Sequence, residues 1–164
     1  MGGADDNITD SASKGSCVTI SSTNVVAELI DVLSPEQVTT DPSMLASYGQ
    51  DWTRFASPAP TAIVFPRSST EIAAIVHHAR NHKLALVPSG GRTGLSGGAV
   101  AANGEVVVSL DKMNTISDVN LIDRTITVGA GAITQQIQEA ASAAGLFYPV
   151  DFASSGSSQI GGNI

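Results

Sequence analysis

The sequence predicts an α+β fold built around a mixed sheet. Short apolar runs typical of strands alternate with segments whose hydrophobic residues recur at helical spacing, but the alternation is not strict. The composition indicates a packed core, because 42% of the residues are hydrophobic and only 14% are charged. A length of 164 residues fits one domain or two small subdomains, and the sequence contains no internal repeat.

The N-terminal region is predicted to contain two helices. Over residues 24–33 apolar side chains recur at helical spacing, with Asn24 as a candidate N-cap. Asp41 followed by proline is typical of an N-cap and a first helical position. This pair predicts a short helix over 42–47 that ends at Gly49.

A strand–helix–strand unit follows. Residues 61–65 form a strand pattern, and Ser68 with Glu71 is a capping box for a helix that ends near His82. Residues 84–87 are apolar throughout, so we expect this second strand to be buried on both faces. The connection through one helix predicts that the two strands form a parallel pair.

The C-terminal half is predicted to contain three strands and one helix. Residues 106–110 form a third strand pattern, and residues 115–121 and 125–128 form two more, joined by a hairpin turn. An alanine-rich helix is predicted over residues 133–144, and Gly145 suits the position that follows its end.

Charge and composition exclude several functional classes. Eight basic and fifteen acidic residues give a formal net charge of −7, which argues against a nucleic acid partner. No apolar run reaches the roughly 18 residues of a membrane span. The single cysteine, Cys17, excludes an internal disulfide framework and a cysteine-based zinc site. The acidic N-terminal segment lacks the apolar core of a signal peptide, which favours a cytoplasmic location.

Two glycine-rich segments, residues 88–99 and 154–163, are the main candidates for a ligand site. The first leaves the carboxyl end of a predicted strand, where ligands of α/β sheets bind, and has five glycines in the nine residues from 90 to 98. Successive backbone N–H groups in such a loop form an anion-binding nest. With the hydroxyls of Ser89, Thr93 and Ser96 as further donors, the loop is predicted to bind a pyrophosphate.

Other interpretations of the glycines are weaker. The loop has no Gly-Lys-Ser/Thr of a Walker A motif, and a long flexible turn is the interpretation without a ligand. Gly129 and Gly131, with Asp151 further on, partly match a Rossmann fingerprint for NAD. However, Thr134 replaces the third glycine and Pro149 interrupts the strand before the acid, so a tight strand-to-helix turn is the alternative.

The histidines and the tryptophan are expected to be structural. His78 and His82 have the i, i+4 spacing that can hold a metal on a helix, but no acidic third ligand is near them in the sequence. We therefore expect surface histidines and predict no metal site. Trp52 is expected to pack or to anchor a loop rather than to stack on a ligand.

Four ordered motifs resemble the FAD-linked oxidase family, whose FAD-binding domain is called the vanillyl-alcohol-oxidase or PCMH type. They are Pro-x-Gly-Gly-x-Thr-Gly-x-x-Gly-Gly at 88–98, Val-Gly-Ala-Gly at 128–131, Tyr-Pro-Val-Asp at 148–151 and Ile-Gly-Gly-Asn at 160–163. Within the family the chain is most similar to D-2-hydroxyacid dehydrogenases: D-lactate dehydrogenase, the glycolate oxidase FAD subunit and D-2-hydroxyglutarate dehydrogenase. The resemblance covers about residues 45–164.

The resemblance implies two α+β subdomains with FAD between them. The loop at 88–98 would bind the pyrophosphate, and residues 149–163 would run along the ribityl and flavin side. Some relatives attach FAD through a histidine at the position of Arg92, so the arginine implies non-covalent FAD, and it would itself approach a phosphate or be solvated. The cofactor-binding residues that the resemblance implies are Pro88, Ser89, Gly90, Gly91, Arg92, Thr93, Gly94, Gly97, Gly98, Pro149, Asp151, Gly156, Ser157, Ile160, Gly161, Gly162 and Asn163.

The resemblance also implies an oxidoreductase in which a hydride passes from the substrate Cα to N5 of FAD. Its partners would be a small 2-hydroxy acid and an electron acceptor. In the family the catalytic base, the substrate-binding arginines and any divalent metal come largely from the C-terminal part, so no catalytic residue is expected here. Two alternatives are a non-redox transferase with the same fold, similar to alkyl-dihydroxyacetone-phosphate synthase, and an inactive truncated FAD-binding module.

Three regions are predicted along the chain. Residues 1–19 would be a flexible polar tail, residues 20–60 a helical lead-in, and residues 61–164 the FAD-binding domain. Because the sequence stops within a glycine-rich motif, we expect that domain to be truncated at its C-terminal side, with the rest of it and a substrate domain beyond.

Overall fold

The computed structural model describes residues 22–53 and 56–164. It contains a four-stranded sheet and four α-helices, so the predicted α+β fold with a mixed sheet is confirmed. The predicted tail over 1–19 and Cys17 lie outside the described residues. No helix in the described residues has the length and apolar character needed to cross a membrane.

The sheet consists of β1 (Val38–Thr39), β2 (Ala62–Val64), β3 (Leu86–Ser89) and β4 (Val106–Ser109) in the order β1-β2-β4-β3. Strand β4 is parallel to both β2 and β3, and β1 is antiparallel to β2. All four residues of β4 are buried, as expected of an apolar strand in the interior of a sheet.

Strand β3 departs from its prediction in three ways. It begins at Leu86 rather than residue 84, because the Leu84 amide still donates to the Ala79 carbonyl at the end of the preceding helix. It lies at an edge of the sheet and is only partly buried. It is parallel to β2 but pairs with β4, so the predicted direct β2–β3 pair is wrong. Pro88 suits an edge strand because it has no N–H to donate to a neighbour.

The helices are α1 (Ser22–Val32), α2 (Pro42–Tyr48), α3 (Ser69–His82) and α4 (Thr134–Ala143), with 3-10 turns at Pro35–Gln37 and Ile160–Gly162. The caps of α2 and α3 are confirmed. The Asp41 carboxylate accepts from the Met44 amide at 3.0 Å, and the Ser68 hydroxyl accepts from the Glu71 amide at 3.2 Å. The proposed Asn24 cap is wrong, because α1 begins two residues earlier.

The two predicted strands around residue 122 form a hairpin without regular strands. Isolated bridges join Ile116 to Val128 and Asn120 to Thr125. The Asn120 side chain accepts from the amides of Ile122 and Asp123 and so closes the turn locally.

The sheet separates two apolar layers. On one face, Val25 and Leu29 of α1 and Ile75 of α3 pack on β2 and β4. On the other face, side chains of α2 pack around Ile63 and Val107. Residues alternate between the two faces along each strand, as the pleat requires.

A third apolar cluster lies under the C-terminal segment. Ala132 precedes α4, Ile137 lies within it, and Ile160 belongs to the last 3-10 turn. Partly buried side chains of the hairpin and Tyr148 pack around these three residues. The cluster therefore holds the last glycine-rich segment against α4.

Ile75 and its neighbour Val76 provide a matched test of the α1–α3 layer. Ile75 is fully buried whereas Val76 is 50% exposed. We expect Ile75→Ala to lower the free energy of unfolding by about 2–5 kcal/mol, because it leaves a cavity between α3 and the sheet. Val76→Ala should change it by only about 0.5 kcal/mol. Urea unfolding followed by circular dichroism would measure both, and equal losses would contradict this packing.

Candidate functional site

A cleft of about 560 Å³ lies between the two glycine-rich segments. One wall is the loop that follows β3, and the other is the segment that ends the described chain. The side chains and backbone that line it are those of Asp51, Pro88, Gly90, Gly91, Arg92, Thr93, Gly94, Leu95, Ser96, Gly98, Ala99, Leu110, Phe152, Ser154, Ser158, Gln159, Gly161, Gly162 and Asn163.

The loop wall presents backbone donors. It leaves β3 at the carboxyl end of the parallel strands, where Leu110 donates to the Ser89 carbonyl and the β3–β4 pairing stops. Among the described residues, no protein acceptor pairs with the backbone amides of residues 90–96. All seven of these residues line the cleft. A run of unpaired amides at such a position forms a nest for an anion.

The two walls touch through a glycine. A Cβ placed on Gly91 would overlap the Ser157 carbonyl, so any side chain at this position would push the walls apart. By contrast, a Cβ on Gly98 or Gly162 would meet nothing within 4 Å. Both of these glycines line the cleft, and a side chain at either position would occupy open space there.

The second wall is held by the turn before α4. The Ile160 and Gly161 amides donate to the carbonyls of Ala132 and Ala130. Thr134 is buried, and its hydroxyl accepts from the Asn163 amide group at 2.8 Å and donates to the Ser158 carbonyl. The turn and the first residue of α4 thus position the C-terminal segment through backbone and side-chain hydrogen bonds.

Gly129 and Gly131 of the same turn contact protein rather than open space. A Cβ on either residue would overlap the carbonyl of Met113 or Leu110. This geometry favours the tight-turn interpretation over a Rossmann fingerprint. Thr134, which replaces the third glycine of that fingerprint, binds Asn163 instead.

Arg92 is engaged by the protein. Its guanidinium lies 4.1 Å from the centroid of the Tyr48 ring and 3.8 Å from Asp111 Oδ1, and it donates to the Gly90 carbonyl. The backbone of Arg92 is left-handed, with φ +58°. These contacts differ from those of a solvated side chain, while Arg92 also lines the cleft and its contact with a phosphate stays a prediction.

Asp111 joins three segments around the cleft. Its carboxylate accepts from the Tyr48 hydroxyl at 2.6 Å and from Gln159 Nε2 at 2.7 Å, beside the Arg92 guanidinium. Burial and the hydrogen bond to Asp111 raise the pKa of Tyr48, so this hydroxyl stays a donor at neutral pH. One carboxylate therefore connects α2, the glycine loop and the C-terminal segment.

Asp51 lies beside the glycine loop. It is buried, its carboxylate accepts from the Thr53 amide, and a Cβ on Gly94 would lie 3.7 Å from its Oδ2. Burial raises the pKa of Asp51, but the hydrogen bonds from Thr53 outweigh it and hold the pKa below its ordinary value. The stability that these bonds supply is present above pH 3.8 and is lost as pH falls through the lower folded pKa.

Trp52 also contacts this loop. Its amide donates to the Gly94 carbonyl at 3.2 Å, while 65% of the residue's surface is exposed. The backbone amide of Trp52 therefore restrains the loop, and the role expected for its side chain stays a prediction.

Three buried polar atoms at the site have no hydrogen-bond partner among the described residues. They are Asp51 Oδ2, Ser89 Oγ and Gln159 Oε1. Asp51 and Gln159 line the cleft. Unpaired buried oxygens are costly, so these positions suit a ligand that brings its own donors.

The cofactor-binding residues implied by the sequence divide into two groups. Those that line the cleft are Pro88, Gly90, Gly91, Arg92, Thr93, Gly94, Gly98, Gly161, Gly162 and Asn163. Those outside its lining are Ser89, Gly97, Pro149, Asp151, Gly156, Ser157 and Ile160. Ser89 and Ile160 are buried beneath the walls, whereas Pro149 and Asp151 are exposed.

Sequence reasoning missed four polar residues at the site: Tyr48, Asp51, Asp111 and Gln159. Tyr48 and Asp111 are 63 residues apart, and Asp111 and Gln159 are 48 apart. No local pattern marks such pairs. Asp51, directly before Trp52, could have been noted as an isolated acid in an irregular stretch, but nothing in the sequence connects it to the glycine loop.

A family model and individual relatives place this chain in the same protein family. Residues 60–164 match the family described as FAD binding domain. The chain is 58% identical over 140 residues to D-2-hydroxyglutarate dehydrogenase of Stutzerimonas stutzeri. The aligned region covers 85% of this chain and 30% of that protein. It is 35% identical over 141 residues to the glycolate oxidase subunit GlcD of Bacillus subtilis, covering 86% of this chain and 30% of that subunit. The chain thus spans about 30% of the length of these relatives.

Solved structures share the fold at low identity. An alkyldihydroxyacetonephosphate synthase superposes with a TM-score of 0.76 at 20% identity, over 85% of this chain and 28% of that one. A substrate-bound p-cresol methylhydroxylase superposes with a TM-score of 0.64 at 20% identity, over 76% of this chain and 25% of that one.

Asp111 should stabilise both walls of the cleft. Asp111→Ala leaves the Tyr48 hydroxyl and Gln159 Nε2 without their acceptor, so we expect the free energy of unfolding to fall by about 1–3 kcal/mol. Asp118→Ala is the matched control, because Asp118 is exposed on the hairpin. Urea unfolding would measure the difference between the two variants. Equal stability of both would show that the Asp111 contacts contribute nothing.

Proposed function

The chain belongs to the FAD binding domain family, and from this membership we propose that its cleft binds the pyrophosphate of FAD in a flavin-dependent D-2-hydroxyacid dehydrogenase. The glycine loop would hold the pyrophosphate, and the segment at 149–163 would lie along the ribityl and flavin side. Because the chain spans about 30% of its relatives, the activity proposed is that of the whole protein.

The observation that carries the proposal is the run of unpaired amides at residues 90–96 that lines the cleft. A pyrophosphate needs several donors close together, and backbone N–H groups supply them without cationic side chains. The net charge of −7 is therefore compatible with an anionic ligand.

Other features of the cleft fit the rest of a dinucleotide. The unpaired oxygens of Asp51 and Gln159 could accept from hydroxyl or N–H groups of FAD. Gly98 and Gly162 leave open the space that a side chain would fill. The opening between the walls is thus both polar and accessible.

We propose that FAD is bound without a covalent link. The loop carries Arg92 where some relatives have the attached histidine, and a guanidinium does not form that bond. The contacts of Arg92 with Tyr48 and Asp111 support a structural role, in which the arginine connects the loop to the carboxylate network.

The names of two relatives support the proposed substrate class. Two curated proteins, 58% and 55% identical to this chain, are named D-2-hydroxyglutarate dehydrogenase. Bound FAD would supply the acceptor for the hydride that leaves the substrate Cα. We propose D-2-hydroxyglutarate as the first substrate to test and assign no catalytic residue to this chain. The electron acceptor is left unassigned, and the cytoplasmic location stays a prediction.

The spectrum of the full-length protein tests the proposal. We expect it to purify yellow, to release FAD on acid precipitation, and to lose its flavin absorbance when D-2-hydroxyglutarate is added without oxygen. L-2-Hydroxyglutarate is the control and should leave the spectrum unchanged.

Each contrary result identifies the part that fails. A colourless protein that does not take up FAD contradicts the cofactor assignment. Flavin that stays with the acid precipitate contradicts non-covalent binding. Bound flavin that neither D-2-hydroxyglutarate nor D-lactate reduces contradicts the dehydrogenase assignment and favours the non-redox transferase.

Gly162→Val tests whether the cleft is the FAD site. The added side chain would enter the cleft without meeting protein, so the fold should be retained while the FAD dissociation constant rises roughly tenfold to a hundredfold. Flavin fluorescence titration of the full-length apoprotein would measure this. Gly98→Val is a second variant of the same kind.

Ala74→Val is the control for added bulk, because Ala74 is exposed on α3 and lies outside both the cleft lining and the segment at 149–163. It should bind FAD as the unchanged protein does. Unaltered affinity in both glycine variants would place FAD outside this cleft.

A further inference from the structure

A second cluster of functional side chains lies between α1 and α3. Glu28 of α1 faces His78 and His82 of α3. Glu28 Oε2 lies 3.3 Å from His78 Nε2 and 3.3 Å from His82 Nδ1. One ligand atom from each residue falls within 4.8 Å of the other two.

The helices hold the three side chains in place. The i, i+4 spacing puts His78 and His82 one turn apart on the same face of α3, and their rings stack with centroids 4.2 Å apart. Leu29, next to Glu28, and Ile75, one turn before His78, are fully buried in the layer between the helices and the sheet. The cluster is therefore attached to a rigid part of the core.

Two of the facing atoms are left without a hydrogen bond. Glu28 Oε2 and His78 Nε2 are buried and have no partner of hydrogen-bonding geometry among the described residues, although they are only 3.3 Å apart. The side chains of His78 and Glu28 are 12% and 24% exposed. An unpaired buried carboxylate oxygen next to an unpaired imidazole nitrogen is costly unless a third group lies between them.

The spacing suits a metal ion better than a direct bond. In a tetrahedral zinc site with bonds of about 2.1 Å, neighbouring ligand atoms are roughly 3.4 Å apart. The two distances from Glu28 to the histidines are close to this value. Two imidazole nitrogens and one carboxylate oxygen are a donor set that zinc uses with a fourth position open.

We propose that Glu28, His78 and His82 bind a divalent transition metal ion, with Zn²⁺ as the preferred ion. The fourth position is open to water or a small anion, because the His82 side chain is 37% exposed. This ion connects α1 to α3 and satisfies the two unpaired atoms.

The site is separate from the proposed FAD cleft. Helix α3 connects β2 to β3 and returns antiparallel to these strands, so His82 lies near the start of β3. The glycine loop leaves the opposite end of the same strand. The proposed ion is therefore structural: it lies between α1 and α3 and takes no part in flavin chemistry.

The sequence pattern marks two of the three ligands, His78 and His82, but shows no acid near them. The acid comes from a different helix, 50 residues before His78. His77, next to His78, has its Nδ1 hydrogen-bonded to the Asn81 side chain at 3.1 Å and is not part of the cluster. It therefore provides a matched control.

The test compares metal binding by chelator-treated full-length protein. We expect the unchanged protein to bind one equivalent of Zn²⁺ more than either single variant, Glu28→Gln or His82→Gln. The control His77→Gln should bind as many equivalents of Zn²⁺ as the unchanged protein. Addition of Co²⁺ should give the visible absorption of tetrahedral cobalt with a nitrogen–oxygen ligand set, and this signal should be weaker in the first two variants.

Thermal unfolding provides a second readout. Zn²⁺ should raise the melting temperature of the unchanged protein and of His77→Gln, because it binds only the folded state. The rise should be smaller in Glu28→Gln. We substitute His82 rather than His78 because its side chain is more exposed, so His82→Gln should disturb the fold less.

Three results would overturn the proposal. The first is an equal number of Zn²⁺ equivalents bound by the unchanged protein and by both Glu28→Gln and His82→Gln. The second is the same loss of binding in His77→Gln. The third is that Zn²⁺ neither binds to the unchanged protein nor shifts its melting temperature. None of these outcomes depends on whether FAD occupies the cleft.

Discussion

The cleft depends on backbone approaching backbone with no side chain between. Gly91 meets the Ser157 carbonyl directly, and a Cβ on Gly161 would overlap Ala130 in the turn before α4. Gly131 in turn lies against the Leu110 carbonyl at the end of β4. These contacts form a continuous chain from the sheet to the C-terminal segment. Any substitution that widens one of them would move both walls of the cleft.

This arrangement explains how an acidic chain can present a site for an anion. Its donors are backbone amides, which carry partial charge without adding to the net charge. The one cation on the loop, Arg92, lies between the Tyr48 ring and the Asp111 carboxylate. Its charge is thus partly balanced by the protein, and its contacts connect the loop to α2 and to the end of β4.

Local signals in the sequence were sufficient for the four α-helices, for β2 and β4 and for one wall of the site, but not for β1. The caps at Asp41 and Ser68 act within three residues, so the sequence alone predicts where α2 and α3 begin. The order of the strands is not a local property: β4 lies between β2 and β3, although it follows both of them in the sequence. The carboxylates of Glu28 and Asp111 meet partners about 50 residues away, and only tertiary packing brings such groups together.

The buried polar atoms that lack a partner show how the two sites are related. A folded chain keeps few such atoms, because each one costs about 1–3 kcal/mol. In the described residues they fall into two groups: Asp51 Oδ2, Ser89 Oγ and Gln159 Oε1 near the cleft, and Glu28 Oε2 and His78 Nε2 between α1 and α3. The first group consists of oxygens beside unpaired amides, which suits a ligand with both donors and acceptors. The second pairs a carboxylate oxygen with an imidazole nitrogen, which suits a cation. The chemistry of each group thus indicates a different ligand for each end of β3.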